Sequence, residues 1–328
     1  MNGACLEFED QITDAVSRIR FAPLSNNLLI SSWDSKLRLY DVDRSLLRFE
    51  VASEAALLDC CFQSESVALS VGSDGFVTRY DLHSTNGDTI GNHEDIATRV
   101  GYSEETCQII TAGLDKKIIC WDTRTTRPLA CLEKLDAEVE SMSLSGFILM
   151  VAIGASVYMY DLRNLDKLVQ SKESKADVRI RCVSSHHSSR GYAVGSIDGR
   201  VTLEIDPTVS NDMGYTFRCY PKSRDGKFLV PVNDIVFNPH IGSAFVTGDN
   251  EGYVMAWDAR SKRKLCELPR YPNSVASLSY NREGQILAIA SSYTYQEANE
   301  KEEPPQIFLH NLDDNSIRSC AGGSSSRK

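Results

Sequence analysis

Short runs of alternating apolar residues recur along the chain, and several close on an aromatic residue followed by aspartate. The pairs are Tyr40-Asp41, Tyr80-Asp81, Trp121-Asp122, Tyr160-Asp161 and Trp257-Asp258. The first four stand 40, 41 and 39 residues apart, and the 97 residues from Asp161 to Asp258 leave room for two units with insertions. The unit between them ends at Leu203-Glu204, where the aromatic-aspartate signature has decayed. A turn aspartate (Asp34, Asp74 or Asp115) lies six residues before each of Tyr40, Tyr80 and Trp121. Ser73-Asp74-Gly75, Ile197-Asp198-Gly199 and Asn250-Glu251-Gly252 supply residues that tolerate positive φ or cap their own backbone. The period of two predicts strands at 28–32, 37–42, 67–72, 76–82, 109–113, 117–122, 244–248 and 253–258, and helical periodicity is nearly absent.

Four short strands per ~40 residues with a WD-like ending are the signature of a WD-repeat β-propeller. Closing strands near residues 40, 80, 121, 160, 203, 257 and 308 predict an all-β fold of seven blades. The seventh unit, 274–312, has nothing after it to supply a fourth strand. The spare run Leu6-Glu7-Phe8-Glu9 is therefore expected to close the ring by pairing into the last blade, which protects an edge that an open ring leaves bare. Residues 1–315 are read as one propeller, and 316–328 as a disordered tail.

Composition narrows the function. A chain of 328 residues with 42% hydrophobic and 24% charged positions is ordinary globular material. Its net charge of −10 argues against direct nucleic-acid binding and against an anionic membrane surface, both of which need a basic face. The longest apolar run, 147–153, is strand-length and too short to span a bilayer, and no secretion-type leader is seen. Ten cysteines without a C-x-x-C pair read as scattered buried thiols in a reducing compartment, cytosolic or nuclear. No catalytic, cofactor-binding or metal-ligating set is expected: there is no phosphate loop or nucleophile elbow, and His186-His187 reads as loop histidines.

His93, Thr111, Asp115 and Trp121 stand at the spacing of the structural hydrogen-bonded tetrad of WD repeats. Long loops are expected at 206–214, 221–227 and 296–305. Blade five concentrates basic residues: Arg179, Arg181, Arg200 and Arg218, followed by Lys222, Arg224 and Lys227. Arginine forks of this kind take phosphate or carboxylate bidentately.

Several stretches are more specific than the repeat. They are Ile30-Ser31-Ser32-Trp33-Asp34 with Arg38-Leu39-Tyr40-Asp41-Val42, residues 192–204, Phe217-Arg218-Cys219, Pro231-Val232-Asn233 and above all 270–295. In these words the whole chain resembles the spindle-checkpoint propellers of the Bub (budding uninhibited by benzimidazole) family, third member. It departs from them after Cys219, where Tyr220-Pro221 replaces a His-Arg pair, and at Gly72-Ser73-Asp74. The resemblance implies a monomeric, non-enzymatic adaptor of the nucleus and cytoplasm that works at kinetochores in mitosis. Its implied partners are checkpoint kinases and their pseudokinase relatives, bound through GLEBS-type peptide motifs, and a phosphorylated outer-kinetochore scaffold. It implies Arg200 and Arg218 as the phosphothreonine-contacting pair, and Trp33, Arg181 and Tyr293 as contacts for the partner peptide. Two other readings stand beside it. One is a nuclear-pore mRNA-export type propeller, a cousin that shares part of the wording. The other is a substrate receptor with a cullin-type ubiquitin-ligase adaptor as partner, from the W-D-x-R words Trp121-Asp122-Thr123-Arg124 and Trp257-Asp258-Ala259-Arg260 and the partial Tyr160-Asp161-Leu162-Arg163.

Overall fold

A computed structural model of the chain describes residues 3–84, 86–124, 127–133, 135–174, 177–186, 191–205, 214–219, 229–294 and 303–312. The strands fall into seven four-stranded antiparallel sheets, and no helix occurs among the described residues. Blade one is Val16–Phe21, Asn27–Ser32, Lys36–Asp41 and Leu46–Ala52. The next five repeat this order through Arg263–Glu267. Blade seven holds Val275–Tyr280, Ile286–Ser291 and Gln306–Asn311, and takes its fourth strand from the other end of the chain. The fold is a seven-bladed β-propeller.

The hydrophobic pattern explains the ring. Second strands such as Asn27–Ser32 are buried at every position, because both faces of each blade pack on a neighbouring blade. Successive side chains point to opposite faces. Leu28 and Ile30 accordingly join a core shared with blade seven, while Leu29 joins one shared with blade two. Seven such clusters exist among the described residues, one at each seam between blades.

Closure differs in detail from the sequence expectation. The closing strand is Ala4–Cys5, paired with Leu309 and Phe308, not the run starting at Leu6. The Leu6 N–H still donates to Ile307 O at 2.8 Å, and then the chain leaves the ladder. The reason lies in the side chains. Leu6 buries itself in the seam between blades seven and one, and the Phe8 ring packs 5.3 Å from that of Tyr40. The apolar residues read as a strand serve as a staple across the seam.

The innermost strands carry a second closure device. Seven equivalent residues, Arg18, Asp59, Arg99, Ser141, Cys182, Asp234 and Ser277, each follow a register shift in the first strand of their blade. Each bonds to the following blade. Arg18 Nε donates to Asp59 Oδ1 (3.0 Å), Arg99 Nε to Glu140 O (2.9 Å) and Cys182 Sγ to Val232 O (3.5 Å). Asp59 accepts from Val100 N–H (3.1 Å), Ser141 from Val183 N–H (3.1 Å), Asp234 from Leu278 N–H (2.8 Å) and Ser277 from Ile19 N–H (3.3 Å). The belt thus runs once around the channel, blade to blade, and ends where it began.

The thiols are less buried than the sequence reading holds. Cys60, Cys120, Cys182 and Cys219 are buried, but Cys5, Cys107 and Cys131 are exposed, because outer strands and strand ends face solvent. The expected tail at 316–328, Cys320, the cations Lys222, Arg224 and Lys227, and most of the three expected loops lie outside the described residues.

Candidate peptide-binding sites

Turns between the second and third strands of the blades ring one mouth of the channel. In blade one this turn is held by a buried arginine. Arg38 is 1% exposed and grips Asp34 with Nη2 (2.7 Å) and Nη1 (3.1 Å), while its Nε donates to Glu50 (2.9 Å). Ser32 Oγ donates to Asp34 at 2.5 Å. Burial alone disfavours ionised Asp34, but the hydrogen bonds from Arg38 and Ser32 outweigh it and hold the carboxyl below its ordinary value. The residue before this clamped aspartate is Trp33, left 38% exposed at the mouth. Its N–H donates to Ala15 O at 2.8 Å.

A cavity of about 480 Å³ opens there. Trp33, Arg181 and Tyr293, from blades one, five and seven, all line it. Tyr293 is braced by its hydroxyl, which donates to Asp14 Oδ1 at 3.0 Å. Leu114 lies in the same wall, 39% exposed, and Ile197 is 38% exposed at the equivalent position of blade five. Sequence reasoning passed over both. The signal was available, since each directly precedes a turn aspartate as Trp33 does (Leu114-Asp115, Ile197-Asp198).

Arg200 and Arg218 are direct cross-strand partners on neighbouring strands of blade five. A β-ladder sets opposed residues within side-chain reach. Both guanidinium groups meet Asp198, Arg200 Nε at 3.1 Å and Arg218 Nη2 at 3.6 Å from Oδ2. Asp198 is itself fixed by Ser196 Oγ, which donates to Oδ1 at 2.5 Å. The carboxylate holds two like charges together and leaves both forks partly exposed, 41% and 33%. Arg200 also lines a cleft of about 520 Å³ between blades four and five, with Val157, Ile180, Tyr192 and Val194 in its wall.

Among the described residues, the basic side chains of blade five therefore form no single patch. Arg179 is taken up by Glu138 (2.8 Å) and Glu140, and Arg181 turns into the channel. Among the described arginines of the blade, Arg200 and Arg218 converge, because they share a register position. In the W-D-x-R words, Arg124 and Arg163 fold back on Asp122 (3.1 Å) and Asp161 (2.6 Å).

In blade three, His93 Nδ1 lies 2.9 Å from Asp115 Oδ2, and its Nε2 lies 2.8 Å from Thr111 Oγ1. The Trp121 indole N–H donates to the same hydroxyl at 2.8 Å. Burial lowers the His93 pKa despite the opposing pull of Asp115. These four side chains tie the turn bearing Leu114 to the core. Blade six repeats the Trp257–Thr247 bond (2.9 Å) but has Cys219 where the histidine would stand.

Residues 5–41 match the family model described as WD domain, G-beta repeat. The chain is 54% identical over 314 residues to mitotic checkpoint protein BUB3.3 of Arabidopsis thaliana, covering 95% of this chain and 100% of that protein. The chain belongs to the BUB3 family of mitotic checkpoint proteins. BUB3.1 of Arabidopsis thaliana is 38% identical over 320 residues, covering 95% of this chain and 94% of that one. The bub3 protein of Dictyostelium discoideum is 34% identical over 306 residues, 92% of each chain. The similarity of this BUB3-family propeller to these relatives thus spans 92–95% of the chain.

Proposed function

We propose that this BUB3-family propeller is a spindle-checkpoint adaptor with two peptide-reading sites and no catalytic role. The channel mouth around Trp33, Arg181 and Tyr293 receives a GLEBS-type motif of a checkpoint kinase or pseudokinase relative. The Arg200–Arg218 pair reads a phosphothreonine on an outer-kinetochore scaffold. Joining the two brings checkpoint proteins to unattached kinetochores. The observation that carries this reading is the convergence at the mouth. Three residues 148 and 112 positions apart in the chain line one cavity. An exposed tryptophan beside a tyrosine and an arginine, on a turn clamped by Arg38, is the composition of a peptide hot spot.

Trp33→Ala tests it. Removing a buried-on-binding aromatic anchor typically costs about 2 kcal/mol or more, a loss of about 30-fold. Calorimetry with a GLEBS-type peptide is expected to show that loss at an unchanged melting temperature. Equal affinities for the two proteins contradict the assignment of the mouth.

A further inference from the structure

The turn aspartate of blade five is used differently from its counterparts. In blades one to three it caps its own turn by accepting the backbone N–H two residues on. Lys36 donates to Asp34 (3.2 Å), Phe76 to Asp74 (3.1 Å) and Lys117 to Asp115 (3.1 Å). In blade five the equivalent N–H, that of Arg200, donates instead to Ser196 Oγ at 3.2 Å. Ser196 Oγ in turn donates to Asp198 Oδ1. The serine has taken over the cap, and Asp198 meets no backbone N–H among the described residues. The carboxylate is nonetheless buried. Its other partners are two arginines, which meet on one oxygen, Oδ2.

Blade one shows the same clamp in a closed form. There Ser32 holds Asp34 as Ser196 holds Asp198, but the arginine that Asp34 grips, Arg38, is itself buried. Glu50 on the outer strand completes that network, accepting from Arg38 Nε (2.9 Å) and Lys36 Nζ (2.6 Å). In blade five the rung matching Arg38–Glu50 is Thr202–Thr216, whose hydroxyls meet at 2.9 Å. Arg218 stands where blade one has Ala52. A hydroxyl thus replaces the outer-strand carboxylate, and a second arginine replaces a methyl group. Two further carboxylates, Glu173 and Glu204, line the cleft beside Arg200. Glu204 is taken by Lys172, and neither lies within ion-pair distance of Arg200 or Arg218 among the described residues. The clamp that buries one arginine in blade one therefore displays two in blade five.

We propose that Asp198, freed from capping its turn, is the positioning residue of the phosphate-reading pair, drawing the Arg200 and Arg218 forks to one point so that both meet a single phosphate. The inference rests on the reading of that pair as a phosphothreonine site. Arg200 commits Nε to Asp198 and Arg218 commits one Nη, and a guanidinium has five N–H donors, so most remain for a ligand. Two effects of Asp198 oppose each other. Its charge repels a phosphate, but across partly exposed groups that repulsion is screened. Its grip offsets the mutual repulsion of two guanidinium groups and orders two long side chains before the ligand arrives, which lowers the entropy lost on binding. Ordering is the larger effect here, because both forks must be aimed at once.

A double-mutant cycle on the full chain tests it, read by fluorescence anisotropy with a kinetochore-scaffold peptide phosphorylated on one threonine and with its unphosphorylated twin. Asp198→Asn removes the charge and keeps the size of the side chain. It is expected to weaken the phosphorylated peptide at least about tenfold and to leave a GLEBS-type peptide unaffected. In an Arg218→Ala background the same substitution is expected to change little, because a pair no longer exists to be aimed. Tighter binding by Asp198→Asn overturns the proposal, since the carboxylate is then only a competing charge. Equal losses in the two backgrounds overturn it as well, since they mark a general structural role. Should Asp198→Asn not fold, Ser196→Ala replaces it, with a smaller loss expected in the wild-type background and none in Arg218→Ala; an unchanged affinity overturns the proposal. A wild type that binds both peptides equally refutes the phosphothreonine reading together with this inference, whereas a preference that survives Asp198→Asn refutes the inference alone.

Discussion

Asp249 makes the stability of this propeller depend on pH in a direction opposite to that of most carboxylates. It is fully buried at the end of the second strand of blade six. Its Oδ1 accepts the N–H groups of Glu251 (2.9 Å) and Tyr253 (2.8 Å), while Oδ2 has no hydrogen-bond partner among the described residues. Burial pushes its pKa up to about 7, from an ordinary value near 3.8, and the two backbone bonds only partly resist this. The folded state therefore binds the proton more tightly than the unfolded chain does. The stabilising contribution of the protonated carboxyl is complete below about pH 4, is lost as pH rises through about 7, and is absent above that. A displacement of about three pH units corresponds to about 4 kcal/mol. Asp249→Asn removes the titration and keeps the oxygen that caps the turn. Its new N–H groups cost about 1–3 kcal/mol if they find no acceptor, but that cost is the same at every pH. Urea unfolding of wild type and variant at about pH 5 and about pH 8 isolates the effect, since every other titrating group cancels in the difference. The variant is expected to gain about 2–3 kcal/mol relative to wild type between the two conditions. An unchanged difference refutes a protonated Asp249.

Three further outcomes follow from the packing. Deleting residues 1–10 removes the Ala4–Cys5 strand and the Leu6 and Phe8 staple; a clearly lower melting temperature or lost solubility is expected, and unchanged melting contradicts strand closure. Thr111→Val leaves the His93 ring and the Trp121 indole N–H without the hydroxyl they share and should destabilise by about 1–3 kcal/mol in urea unfolding, while a neutral effect shows the tetrad to be slack. Adding a Cβ at Gly91 drives it into the Trp121 ring, so Gly91→Ala should lower the melting temperature and alter tryptophan fluorescence.

The blades were legible because a period of two, broken by turn aspartates and glycines every forty or so residues, survives in most units. Gly75, Gly199 and Gly252 adopt φ of 80°, 79° and 86° at the turns where the sequence placed them. Closure was legible in kind but not in register, since Leu6 and Phe8 look like alternating strand residues whether they pair or staple. The belt around the channel was not legible. Arg18, Asp59, Arg99 and Asp234 lie far apart in the chain and share only a place after a bulge, which hydropathy does not mark. Charge counting likewise grouped Arg179, Arg181, Arg200 and Arg218 by proximity in sequence. Strand direction then sends one to Glu140, one to the channel and two to Asp198.

The adaptor reading meets its most direct test at Asp198. Fluorescence anisotropy with a kinetochore-scaffold peptide, phosphorylated or not on one threonine, compares wild type with the Arg200→Ala, Arg218→Ala double variant. Each charge-assisted bond to phosphate contributes about 1.5–3 kcal/mol, so the wild type should prefer the phosphorylated peptide by well over tenfold. The double variant should lose that preference while still binding a GLEBS-type peptide, and added salt should weaken only the wild-type phosphopeptide complex. Equal binding of both peptides by the wild type contradicts the reading of Arg200 and Arg218 as a phosphothreonine site.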